Sequence, residues 1–429
     1  KIQLTTHNNG AATVVNTKHL HFISADVGGN FTATATDGTI IQDNAFDIDG
    51  TSDFYSVSVG NIILDSAAND FTGAVRFRGG AVVIKDTNDI VFGSSDSTAA
   101  GTLDGYALKV YAGDEITDTG NLLVTGPTAT TGDGNAWFGT NNASSGRIVL
   151  DNGGHTVDGS WTLDGGIGYT VSSASAVVLT AMTLAGDLNV TTTGGTVTDT
   201  GVLSVEGLAV ISATDGSGND FDVTLDGDGT TYNNFQDEVQ ITAANVILKD
   251  TSAIELGKST VSGTYDVTAN GTVTQNQLAA NPLVITGTTT ISGTDITLNN
   301  TANNFGGAVA VTTIGSDVVL VDTNAIILGA SMVSGTYQVT AGGAVTQSGA
   351  LDIEGVTTIE ASGSAVTLTD TSNDFTSAVR INGAAVQLTD TNALDLGTTT
   401  TTGSYTVIAG DGITDSGALT IGTTASAQT

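Results

Sequence analysis

The sequence predicts an all-β chain wound as a parallel β-helix, a solenoid with coils of about 20 residues grouped in long repeats of about 70. Three observations carry this. The phrase Ala365-Val-Thr-Leu-Thr-Asp370-Thr371 returns as Ala385-Val-Gln-Leu-Thr-Asp390-Thr391, one short period later. The tract Phe375 to Tyr405 recurs as Phe305 to Tyr337, as Phe235 to Tyr265, and more loosely as Phe71 to Tyr106, which defines the long period. Composition agrees: hydrophobic residues make up 39% and aromatics only 5%, and 56 glycines stand against two prolines. Thr, Val and Ile favour strands, whereas Gly, Asp and Asn favour turns. A short apolar stretch repeated at fixed spacing with turn residues between is the signature of stacked repeats.

The elements read as short strands: Val366-Thr-Leu, Ala378-Val-Arg-Ile, Val386-Gln-Leu, Ala393-Leu-Asp-Leu, Tyr405-Thr-Val-Ile and Leu419-Thr-Ile. Alternation sends Val and Leu to one face and Thr or Gln to the other. Three strands and three turns fill one coil. A sandwich of hairpins gives no reason for near-identity at 20 residues. A parallel β-helix does, because like residues then stack on like. Leu368, Leu388, Val379, Ile408 and Ile421 are the expected interior, and Val366 is expected to stack on Val386. The whole of 1–429 reads as one continuous β-helix rod of about 100 Å at ~4.8 Å per coil: first coils over 1–60, a repeat unit over 61–126, an irregular excursion over 127–165, and further repeat units over 166–429.

The charge is strongly acidic, with 44 Asp and Glu against 10 Lys and Arg, a net −34. Such a chain repels nucleic acid and anionic lipid. With no cysteine, disulfides and thiolate chemistry are excluded. No apolar run of ~20 residues is present for membrane insertion, and Lys1-Ile-Gln-Leu has no leader character, so the chain reads as a processed product or fragment.

Strings such as VTLTDTSNDFTSAV, NALDLGTTTTTGSYTVIAGDGITDSGALTI and VSGTYQVTAGGAVTQSGALDI resemble the repeats of filamentous-haemagglutinin-like large exoproteins of Gram-negative bacteria. The resemblance covers most of the chain and is clearest over 230–429 and 61–126. It implies a right-handed parallel β-helix, export across the outer membrane, and adhesion or biofilm roles. The family's N-terminal secretion domain is not among these residues.

Polysaccharide lyases and hydrolases also use parallel β-helices, but they cluster acids with Arg or Lys on one face. Here Arg76, Arg78, Arg147 and Arg380 are scattered. Asp86, Asp250, Asp322 and Asp390 share one repeat position, which fits a turn role better than a catalytic one. The expected function is therefore a non-catalytic extracellular structural or adhesive rod of a bacterial surface protein. Its partners would be surface or matrix glycans and proteins, with no nucleic acid. The alternatives are a self-assembling filament or surface-layer subunit that stacks copies end to end, and a polysaccharide-active enzyme.

Two sets of candidate site residues follow. Asp215, Ser217, Asn219, Asp226 and Asp228 have a partial EF-hand-like spacing for calcium, with Asp220 where the pattern needs Gly and Asp226 where it needs Glu. Trp137, Phe138, Arg147 and Trp161, in the excursion, are the expected contact surface, since Trp and Arg are enriched at binding hot spots. His19 and His21 form half of a zinc pattern without a third ligand.

Overall fold

The computed structural model describes residues 1–429 except 59, 99–102, 127–133, 314 and 362. Among the described residues the secondary structure is entirely β, and parallel strands stack coil on coil as a β-solenoid. The chain falls into two compact units, Lys1–Thr230 and Thr231–Thr429.

In Thr231–Thr429 the expected 20-residue stacking is present. Val366 lies beside Val386 and Leu368 beside Leu388 in parallel register. The column extends to Val345 on one side and Tyr405 on the other. Leu368, Leu388 and Val379 are buried as expected. Ile408 is not: it is 43% exposed, and Tyr405, Val407 and Ala409 take the inward positions. Ile421 is likewise only half-buried. A one-residue error in phase sends a strand residue to the opposite face. At the corners the coils approach too closely for side chains. A Cβ on Gly307 would stand 2.2 Å from the carbonyl oxygen of Gly287 in the coil below.

In Lys1–Thr230 a comparable column runs Ile40, Ile62, Val82, Leu108, Ala136, Trp161. Near its start, Phe22, Phe31, Phe46, Phe54 and Phe71 form a continuous aromatic core, mostly edge to face. The 134–165 part of the expected excursion is not irregular. Its strands Ala136–Thr140, Arg147–Val157 and Ser160–Asp164 continue the parallel stacking, and what differs is longer coils and a register shift between Leu150 and His155. Residues 127–133 of that call lie outside the described residues.

Buried polar side chains tie the coils together once per long repeat. Asn69, Asn303 and Asn373 are fully buried. Each exchanges two hydrogen bonds with a glutamine from the preceding coil: Gln42 (2.7 and 3.0 Å), Gln275 (2.6 and 2.8 Å) and Gln347 (2.8 and 3.0 Å). Each also accepts a backbone N–H, from Phe46, Leu283 and Leu351. Two residues after the asparagine stands a buried phenylalanine, whose amide donates one coil onward to a buried aspartate. Phe71 donates to Asp86 (3.0 Å), Phe235 to Asp250 (2.7 Å) and Phe305 to Asp322 (2.9 Å). The same carboxylates, and Asp390, accept the amide two residues on, from Asn88, Ser252, Asn324 and Asn392. The shared repeat position of these aspartates is thus a turn position, as expected, and also an inter-coil bond.

Burial pushes all four carboxyls above the ordinary carboxylate range, Asp86 to about 6, against the opposing pull of the backbone N–H donors. A carboxyl whose folded value is raised stabilises the fold most when protonated. That contribution is full below the unfolded value near 4 and is lost as pH rises through about 6. The thermal midpoint is therefore expected to rise between pH 7 and pH 5. Asp86→Asn should show a shallower rise, whatever its offset, and an unchanged slope would contradict the assignment. In the same measurements Asn373→Leu should cost about 3 kcal/mol, because Gln347 and the Leu351 amide lose their buried partner. Asp374→Asn, on the outward side, should stay within about 0.5 kcal/mol.

Candidate contact surface

The four expected contact residues separate by strand alternation. Phe138 and Trp161 are fully buried with their rings 6.0 Å apart, so they belong to the core and not to a contact surface. Arg147 is exposed at the start of its strand. Trp137 faces outward and is half-buried, between Lys109 on one coil and Thr162 on the next.

Trp137 has neighbours the sequence reading missed. Its indole lies across Gly139, where a Cβ would stand 1.9 Å from the ring, and its centroid is 4.2 Å from that of Tyr111. The Lys109 ammonium is 5.4 Å from the Tyr106 ring centre, 5.5 Å from Tyr111 and 5.7 Å from Trp137. Lys85 stands over Tyr111 at 5.0 Å. The outward alternation Lys109-x-Tyr111 was visible. The register that brings it beside Trp137 was not, because the coils here run longer than 20 residues. A groove of about 250 Å³ opens along these residues and is lined also by Ile63, Val83 and Leu103. Asp104, 85% exposed, reaches Lys109 only at 3.8 Å from a tight turn with φ of 53°.

The register shift in Arg147–Val157 rests on a buried pair. His155 Nδ1 accepts the Leu122 amide at 2.9 Å, which leaves Nε2 to carry the proton toward Asp118 Oδ2 at 3.4 Å. The other Asp118 oxygen accepts the Asp151 amide.

The acidic candidates shape their own loops. Asp215 accepts from the amides of Ser217 and Asn219 and from the Asn219 side chain, and these donors hold its carboxyl below the ordinary range. The amides of Asp226 and Gly227 donate to Asp199, and Asp228 accepts from Thr230. Among the described residues no three His, Cys, Asp or Glu side chains group to hold a metal ion. His21 instead pairs with Asp43 at 2.6 Å, and His19 with Thr39.

A family model described as repeats of unknown function (DUF5649) matches residues 9–78, 165–242, 243–312, 315–382 and 383–429. No curated protein and no solved structure matches the chain. The matched segments contain the Asn69, Asn303 and Asn373 latches, whereas the Lys85–Trp137 surface falls between the first and second matches.

The different burial of the two tryptophans is directly measurable. Acrylamide should quench Trp137 emission and leave Trp161 dark to the quencher, so Trp137→Phe should abolish most of the quenchable fraction. Equal quenching of both residues would contradict this placement.

Proposed function

The chain belongs to this family of repeats, and on that premise we propose that it is an extracellular, non-catalytic structural and adhesive element of a bacterial surface. The observation that carries this reading is where the polar chemistry goes. The buried Asn, Gln and Asp side chains that recur with the long period are spent on bonds between coils. A chain built in this way gains length and rigidity by adding coils, since each repeat contacts its neighbours. Its outward strand positions are mainly Thr, Asp, Asn and Gln, which stay hydrated. The acidic excess of 44 to 10 keeps such a surface dispersed and suits a cation-rich exterior.

Adhesion is placed at the one outward surface of different chemistry, the aromatic and lysine cluster between the family repeats. Beads coated with the purified protein should attach to cell or matrix surfaces under flow, and beads coated with an inert protein should not. The protein should resist protease for hours under native conditions. Failure to attach overturns the adhesive part. Release of sugar fragments from any polysaccharide by the pure protein overturns the non-catalytic part.

A further inference from the structure

We propose that Lys85, Lys109, Tyr111 and Trp137 form a binding site for an anionic polysaccharide, taking one acidic pyranose unit against the aromatic rings with its anionic group between the two ammonium groups. This names the ligand class of the adhesive reading and rests on it. Three observations carry the inference. First, in a chain with ten basic residues, two lysines converge on a single tyrosine ring, at 5.0 and 5.5 Å. Their strands are adjacent in register: Val83 pairs with Lys109 and Lys85 with Tyr111. Second, the Tyr111 and Trp137 rings meet at 4.2 Å with a 40° tilt beside a groove of about 250 Å³, and Gly139 gives the indole room to lie flat. Aromatic faces beside a groove offer an apolar platform with polar groups at its edge. Third, the surface lies in the segment where the family repeat does not match, so repeat architecture does not account for it.

The charge balance selects the ligand. Asp65 and Asp104 stand at the rim of the groove, and Asp104 holds Lys109 only loosely at 3.8 Å. Lys109 is 18% exposed, with its stem packed among rings and its ammonium still a donor. An anionic group closer than Asp104 therefore gains a charge-assisted hydrogen bond that the free protein does not make in full. The strongly negative remainder of the surface repels extended polyanions such as nucleic acid, so contact is confined to this place.

The test is a titration followed by Trp137 emission, Trp161 being buried. The probes are tetragalacturonate, a sulfated dextran oligomer, and the neutral methyl ester of tetragalacturonate. Either anionic probe should change the emission, and its response should weaken as salt is raised. The methyl ester should bind about tenfold more weakly or worse, the ~1.4 kcal/mol of one charge-assisted contact. The double variant Lys85→Gln, Lys109→Gln should lose the anionic response to the same degree with its thermal midpoint kept, and Tyr111→Leu should weaken all three probes. Which anionic probe binds separates carboxylated from sulfated ligands. Equal binding of ester and acid, a double variant that titrates like the parent, or a flat response to both anionic probes overturns the proposal. If the titration is flat while coated beads still attach, this site falls and the adhesive reading stands.

Discussion

In a parallel stack every coil rests on the one before it, and a polar group that enters the interior has to be satisfied by the next coil. The structure depends on how that constraint is met. A buried amide or carboxylate without a partner costs more than a satisfied one contributes. Asn69, Asn303 and Asn373 avoid the cost by using both ends of the side-chain amide: the oxygen takes a backbone N–H and a glutamine N–H, and the nitrogen returns a bond to the same glutamine. These bonds reach between coils, so they set the coil register as well as contributing energy. An apolar column of Val and Leu would slide by two residues at modest cost. A reciprocal Gln–Asn pair would not.

The aspartates complete the arrangement at the neighbouring turn. One carboxylate oxygen of Asp86 accepts the Phe71 amide and the other accepts the Asn88 amide, which couples a turn within one coil to the strand start in another. The following Thr87 amide donates to the Asn69 carbonyl, and Thr323 and Thr391 do the same to Asn303 and Asn373. This is the physical content of the recurring Asn-x-Phe and Asp-Thr phrases. Each residue in them answers to a partner about 15 to 28 positions away. The raised carboxyls show what the arrangement costs, because desolvation outweighs the donors that surround them.

Fold and site were legible to different degrees for a common reason. Strand existence, parallel pairing and the Val366–Val386 register follow from periodicity, and a strict period is itself a statement about which residues are neighbours. Phase within a strand is weaker information. In Tyr405–Ala409 four of five residues are apolar or aromatic, so alternation alone does not say that Val407 rather than Ile408 faces inward. The same ambiguity placed Phe138 and Trp161 on a surface when they are core. Trp137 was identified correctly as outward, but Lys85, Lys109 and Tyr111 were not joined to it. That requires knowing that Leu108 sits beside Ala136, and no 20-residue rule predicts the pair. For the acidic loops, sequence spacing was read as a ligand set, whereas Asp215 and Asp228 bond to the amides of their own turns.

The departure from the period and the chemistry of the surface are therefore linked. Where coils hold to about 20 residues, outward positions recur over one another. A column of like charges would repel itself at ~4.8 Å spacing, which favours Thr, Asn and Gln in those columns. Where the coil lengthens, between Leu108 and Trp161, the outward residues of successive coils need not be alike, and unlike side chains can be set side by side. Lysine beside tyrosine beside tryptophan is an arrangement of that kind, stabilised by the attraction of each ammonium for a ring face. The buried His155–Asp118 pair and the shift in register beside it hold the longer coil in place from within. Regular repeats supply the scaffold and its solubility. The aperiodic coils supply the variety of neighbours that recognition requires, and the polar pair beneath them makes that variety compatible with the stack.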